Sequence, residues 1–323
     1  MKAFVTGGTG FIGSHLADRL IESGDYDELR CLVRTREKWL KGKPYKQVKG
    51  DLSSISALRQ AVDGVDTIFH LAGVVSARTQ REFNLANVEA TENLLRVADQ
   101  MGVSNIVILS SLAAAGPSNG SPKTEEDPLK PVSMYGESKK LMEQMIQETA
   151  PDSMSVKILR PPAVYGPRED QIYTLFKLMK YGLTPIVGDG YRPKLSMVYV
   201  SDLVDGIMKA ARDNQQGIQT FFISGQITCW QEIKEIADTV FGKKSLPIKI
   251  PPAAVKKVAG FVETTATLFG SYPVVNREKA REMILEWTCS SQKATDELSY
   301  KPDVSLEEGI SRTIRWYKKH NWL

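Results

Sequence analysis

Lys2-Ala-Phe-Val-Thr6 runs directly into Gly7-Gly8-Thr9-Gly10-Phe11-Ile12-Gly13, and this stretch decides the fold. The first five residues read as a short strand. Leu16, Leu20 and Ile21 then recur at helical spacing, with Gly24 and the polar Asp25 as a stop. A strand that turns through glycines into an amphipathic helix has the layout of a dinucleotide site. The glycines let the backbone bend tightly and approach a pyrophosphate, whose charge is met by the free amides of the helix start.

Further strands are predicted near Leu29 to Val33, Gln47 to Gly50, Thr67 to Leu71, Ile106 to Ser110 and Val156 to Arg160, with helices between them. This alternation predicts an α/β fold, a doubly wound parallel sheet of the Rossmann kind covered on both faces. Crossover handedness then lines the strand ends along one edge, where ligands bind at the reversal of winding. Beyond Arg160 the alternation loosens. Ile172 to Tyr181 and Ser201 to Arg212 read as helical, Lys194 to Val200 and Thr220 to Ser224 as extended. Helices at Trp230 to Phe241, Ala253 to Phe269, Arg277 to Glu286 and Leu306 to His320 build a smaller C-terminal lobe. We place a dinucleotide-binding domain at residues 1–165 and a mainly substrate-binding lobe at 166–323, with some segments returning to the sheet.

A chain of 323 residues can bury a substantial core. With 42 basic and 38 acidic residues the net charge is only +4, which gives no sign of a nucleic-acid surface. Cys31, Cys229 and Cys289 lie far apart and fit a reducing, cytoplasmic compartment. His15, His70 and His320 form no metal-ligand spacing, so no metal is expected. Strand residues from Lys2 leave no room for a signal peptide. The long apolar stretch Pro251 to Gly270 carries Lys256, Lys257 and Glu263, which disfavour a bilayer span. Its stripe of Val255, Val258, Ala259, Val262, Ala266 and Phe269 suits packing on the lobe, walling of an apolar pocket, or contact with a membrane surface.

Tyr135-Gly-Glu-Ser-Lys139 puts a phenol and an ammonium on one helix face, one turn apart. A free tyrosine has a pKa of about 10, and a cation within roughly 4 to 6 Å favours the phenolate. Proton transfer to or from an alcohol oxygen then becomes feasible. Such a pair by itself is usually two solvated neighbours; the glycine turn upstream gives it a hydride carrier to work with.

Together these motifs resemble the extended short-chain dehydrogenase/reductase superfamily, whose fingerprint Thr-Gly-x-x-Gly-x-x-Gly stands at Thr6 to Gly13 and whose catalytic signature is Tyr-x-x-x-Lys. Asn105-Ile-Val-Ile-Leu-Ser-Ser111 supplies the family's serine, five residues before Gly116, and Asn87 matches its asparagine. The resemblance runs through Trp316-Tyr317 to Trp322. It implies a catalytic set of Tyr135 as acid/base, Ser111 on the reacting oxygen, Lys139 lowering the tyrosine pKa and binding the nicotinamide ribose, and Asn87 supporting a lysine-linked water. It implies cofactor contacts from Gly7, Thr9, Gly10, Phe11, Ile12 and Gly13 at the turn, and from Asp51 and Leu52 near adenine. Leu71, Ala72 and Gly73 after His70, and Pro162 and Val164 within Arg160-Pro-Pro-Ala-Val-Tyr165-Gly-Pro167, are implied along the rest of the cofactor.

The second strand ends in Arg34, with Arg36 and Lys38 close behind and no carboxylate at the position that would bind adenosine ribose hydroxyls. A guanidinium there pairs with a 2′-phosphate, which predicts NADP, with NAD the alternative. For the substrate, absences inform most. Sugar-nucleotide epimerases of the superfamily carry an asparagine where Ala163 stands and an arginine where Leu195 stands; dehydratases carry acid and base residues where Leu112 and Ala113 stand. Ser110 to Pro117 resembles the 3β-hydroxysteroid dehydrogenase and dihydroflavonol reductase branch. The sequence thus predicts hydride transfer between nicotinamide and a secondary alcohol or ketone of a small-molecule substrate. An NDP-sugar epimerase is the nearest rival, and a non-catalytic NADP-binding redox sensor is a second. The resemblance also admits a homodimer through the helices around Asn87 and Tyr135.

Overall fold

The computed structural model describes residues 1–213, 215–255 and 277–323. In chain order the strands are β1 (Lys2–Thr6), β2 (Glu28–Val33), β3 (Lys46–Lys49), β4 (Thr67–His70), β5 (Asn105–Leu109), β6 (Ser155–Arg160), β7 (Ala163–Tyr165), β8 (Leu183–Val187), β9 (Leu195–Tyr199), β10 (Gly217–Phe222), β11 (Gln226–Thr228) and β12 (Leu246–Ile250). Seven of them form one parallel sheet in the order β10-β6-β5-β4-β1-β2-β3. Winding proceeds outward in both directions from β1 and β4. The crevice for a ligand therefore opens beyond their carboxyl ends, at Thr6 and His70.

Strand alternation divides the core between the two faces. Ala3 and Val5 of β1 pack with Leu16, Leu20, Leu203 and Ile207, on the side of the helices Phe11–Ser23 and Val200–Arg212. Phe4 points the other way, to Leu58, Leu94, Met142 and Ile146 on the helices Ile55–Val62, Ala90–Gln100 and Met134–Thr149. The first helix stops where the sequence places its stop, with Gly24 at φ +70.

The smaller lobe contains the helices Gln171–Lys180, Trp230–Phe241 and Leu306–Lys319, the three-stranded sheet β11-β9-β7 and the pair β12-β8. The short strands β7, β8, β11 and β12 and the helix Gln292–Leu298 are additions to the sequence reading. The helix expected over Ala253 to Phe269, and most of its apolar stripe, lie outside the described residues. Tyr317 and Trp322 stack at 5.4 Å, and Trp39 reaches Trp316 at 5.8 Å, which joins the C-terminal residues to the segment between β2 and β3.

Candidate active site

The glycine turn is too tight for side chains at two points. A Cβ on Gly7, at φ +74, would lie 2.7 Å from the Ala72 nitrogen, and one on Gly13 would lie 2.2 Å from the Gly7 carbonyl oxygen. Gly10 starts the helix in an extended conformation, and no side chain caps it. The first amides of this helix, from Phe11 to Gly13, therefore lack helical acceptors and suit an anion. Thr9 stands in the turn beside them. This cradle fits a dinucleotide pyrophosphate, with Leu71, Ala72 and Gly73 forming the facing wall at the end of β4.

A directed chain of hydrogen bonds stiffens that wall. The Thr91 hydroxyl donates to the Asn87 carbonyl at 2.7 Å, so it accepts from His70 Nε2 at 2.9 Å. His70 Nδ1 in turn accepts from the Thr6 hydroxyl at 2.7 Å, and Thr6 Oγ1 receives the Ala72 amide at 3.2 Å. Burial pulls the imidazole down to about 3, which keeps it neutral and makes this one-proton tautomer the fixed one.

At the end of β2, Arg34 and Arg36 are exposed, and the nearby Glu37 carboxylate is taken by the Tyr45 hydroxyl at 2.6 Å. Asp51 accepts the hydroxyl and amide of Ser53, which with Arg34 hold its carboxyl below the ordinary range. Leu52 is half-buried beside it.

Tyr135 is the second residue of the helix Met134–Thr149, whose start is capped by Ser133. A Cβ on Gly136 would lie 2.4 Å from the Ala113 carbonyl oxygen, so this helix presses closely on the short helix Leu112–Ala115. That approach sets Ser111, which caps the short helix by accepting from the Ala113 amide at 3.1 Å, close enough to Tyr135 to act on its phenol. Lys139 is buried one turn on, with Nζ donating to the Leu109 carbonyl at 2.9 Å. Asn87 sits in a π-helical turn at Leu85–Glu89. Its side chain accepts from the Val74 amide at 2.8 Å and donates to Ser138 Oγ at 3.0 Å. A methyl placed on Gly73 would lie 3.1 Å from Asn87 Oδ1 and 3.4 Å from Lys139 Nζ, so the three converge.

The expected depression of the tyrosine pKa does not hold in the chain alone. Burial pushes the Tyr135 phenol up to about 12; the Ser111 hydroxyl opposes this and the Glu282 charge adds to it. Burial outweighs the helical neighbour. The same desolvation brings Lys139 down to about 8, partly opposed by Glu143. Glu143 itself is held by the Arg160 guanidinium, with Nε at 3.0 and 3.1 Å from its two oxygens, and by the Ser110 hydroxyl.

In β9, Leu195 is half-buried and bridges Trp287, whose flanking backbone bonds run from Ser196 N to Trp287 O and from Trp287 N to Lys194 O. Leu112, Leu129, Phe222 and Trp287 form an adjoining apolar cluster. Pro162 and Val164 are half-buried and Ala163 is exposed in the segment leading away from β6.

The family model described as the NAD dependent epimerase/dehydratase family matches residues 3–223. The chain belongs to this family. Ceramide reductase of Caulobacter vibrioides is 28% identical over 324 residues, covering 99% of this chain and 95% of that protein. The 3 beta-hydroxysteroid dehydrogenase/Delta 5-->4-isomerase of Mycobacterium tuberculosis is 25% identical over 342 residues, covering 98% and 90%. The solved structure of MoeE5 in complex with UDP-glucose and NAD has a TM-score of 0.80 at 25% identity, covering 99% of this chain and all of that one. As a member of the NAD dependent epimerase/dehydratase family, the protein is an enzyme of the extended short-chain dehydrogenase/reductase type.

Within this epimerase/dehydratase framework, Ser111, Tyr135, Lys139, Asn87 and Gly73 come together, while Arg34 and Asp51 lie at the far, β2 end of the crevice. Several neighbours escape the sequence reading. Phe83 has its ring 6.1 Å from that of Tyr135, and Glu278 from the helix Arg277–Met283 accepts the Met134 amide at 3.0 Å. Glu143 alone carried a local signal, four residues after Lys139 on one helix.

Proposed function

We propose that the chain is an NADP-preferring oxidoreductase that transfers a hydride between nicotinamide and a ketone or secondary alcohol on a large apolar substrate. The observation that carries this reading is the placement of Ser111 and Tyr135 beside buried Lys139, which converges with Asn87 on Gly73 next to the glycine cradle. In reduction, Tyr135 gives its phenolic proton to the carbonyl oxygen while the Ser111 hydroxyl holds that oxygen in place. The Lys139 ammonium stabilises the phenolate left behind, and Asn87 fixes the backbone at Val74 and the helix at Ser138 around it. A nicotinamide bound in the cradle would supply or accept the hydride. The preference for NADP is supported by exposed Arg34 and Arg36, in a place where no free carboxylate competes for ribose hydroxyls.

The apolar substrate is supported by Leu195, which stands where sugar-nucleotide epimerases carry an arginine, and by its backbone bridge to Trp287 beside the apolar cluster of Leu112, Leu129 and Phe222. Two relatives named for a ceramide and a hydroxysteroid point the same way. Purified protein should oxidise NADPH with a steroid ketone or a long-chain ketone in detergent, followed by absorbance. Interconversion of UDP-sugars without net cofactor consumption would make it an epimerase instead, and cofactor binding without turnover on any carbonyl would make it a sensor.

A further inference from the structure

At the end of the smaller lobe, β8 and β12 pair in parallel with Leu183 opposite Leu246 and Pro185 opposite Ile248. Alternation puts Leu183, Pro185 and Val187 on one face with Leu246, Ile248 and Ile250. This apolar face begins inside the protein, where Val187 packs with Val255, Ala280 and Ile250. It ends in water: Leu246 is 65% exposed, Ile248 44% and Leu183 40%. Tyr181, at 70%, and Leu178 are also exposed, in the turn and helix that lead into β8. Singly exposed apolar side chains are ordinary, but a cluster on one face marks a contact surface.

The two stretches that build this end of the lobe carry charge of one sign. Residues 171–187 and 239–252 contain Lys177, Lys180, Lys243, Lys244 and Lys249 and no aspartate or glutamate. Both stretches meet at this end, since the Leu246 amide donates to the Gly182 carbonyl at 2.8 Å and Lys243 Nζ bonds the Lys180 carbonyl. The charge of Asp189 is opposed by that of Lys249. A nucleic acid would use the lysines and leave the leucines and isoleucine in water. A second copy of the chain would bring like charges against like. An anionic bilayer takes up both groups, the apolar side chains below the headgroups and the ammoniums among the phosphates.

We propose that this end of the lobe is a peripheral docking surface for an anionic lipid bilayer, entered by Leu246, Ile248, Leu183 and Tyr181 and held by the surrounding lysines. No helix among the described residues is long and apolar enough to cross a membrane. The proposal does not depend on the substrate reading, since neither strand contributes to the catalytic set.

Flotation with vesicles of phosphatidylcholine, with and without phosphatidylglycerol, tests it. The full-length protein should float with the anionic vesicles, less so in high salt, and poorly with the neutral ones. Leu246→Glu with Ile248→Glu should abolish flotation. Lys243→Gln with Lys244→Gln should weaken it by roughly twenty-five-fold, at about fivefold per lysine. Both variants should keep wild-type cofactor binding and circular dichroism, which separates loss of docking from loss of fold. Absence of wild-type flotation, or flotation that survives both double substitutions, overturns the proposal. So does light scattering that shows a dimer which the Leu246/Ile248 variant breaks without any vesicle binding, because the face then joins two copies. Binding to a single-stranded oligonucleotide that matches vesicle binding and survives the Leu246/Ile248 substitutions also overturns it.

Discussion

Replacing Lys139 by methionine should make the cofactor-free protein more stable at neutral pH, and the gain should vanish in alkali. The ammonium is buried, and its pKa falls from an ordinary 10.5 to about 8. At about 1.4 kcal/mol per pH unit, that gap corresponds to about 3 kcal/mol spent on holding the charge out of water. Below pH 8 both folded and unfolded chains carry the proton, so the whole penalty is present. Between pH 8 and 10.5 the unfolded chain still binds a proton that the folded chain has released, so stability rises with pH across this window relative to a variant without the amine. Urea unfolding of wild type and Lys139→Met at pH 7 and pH 10 should show the stability difference changing by about 2 to 3 kcal/mol. An offset from altered packing, or from the lost bond to the Leu109 carbonyl, is common to both pH values and drops out. A difference that stays flat would mean that the ammonium is solvated in the native chain, and the argument for its pKa would fail.

Tyr135→Phe should lower turnover by about 10² to 10⁴ and leave cofactor affinity within experimental error, because only the proton carrier is lost; steady-state rates and a cofactor titration check both halves. Arg34→Asp should reverse the cofactor preference: the wild-type contact to a 2′-phosphate is worth about 1.5 to 3 kcal/mol, or roughly tenfold to a hundredfold in affinity. Equal wild-type affinities for NADPH and NADH by fluorescence titration would remove that role from Arg34. Gly13→Ala, with its new methyl 2.2 Å from the Gly7 oxygen, should cost about 1 to 3 kcal/mol of overpacking and impair cofactor binding severely, whereas Gly10→Ala, at 3.2 Å, should be mild. Equal effects in thermal melts and binding would show that the turn yields.

The central sheet was legible because its strands are apolar runs separated by helical periodicity, and Thr6 to Gly13 names the turn between the first pair. The strands that escaped are short and punctuated. Pro185 interrupts β8 and Pro247 interrupts β12, and a proline within a run argues against a strand unless the strand lies at an edge. The catalytic set was legible as spacing, since a turn of helix separates Tyr135 from Lys139 whatever surrounds them. Its electrostatics were not. Whether a phenol is raised or lowered depends on everything that displaces water from it, and here those groups include Phe83 and Glu282, distant in sequence. Arg160 could be paired with Glu143 only after β6 was known to lie beside β5.

The outermost strand of the large sheet, β10, is made last. Six residue pairs join it to β6, and Phe221 and Phe222 are fully buried there. Lys157 of β6, itself buried, reaches the Gln215 carbonyl at 2.7 Å and Asp213 at 3.1 Å, in the segment that leads into β10. During synthesis, a nascent chain that has emerged only as far as β6 carries an open parallel edge, and a lysine that has Ser155 beside it but not yet Asp213 or Gln215. Such an edge is a template for pairing with another chain. The nucleotide-binding half is therefore continuous in function but not in time, and its completion waits on more than fifty further residues that first build part of the other lobe.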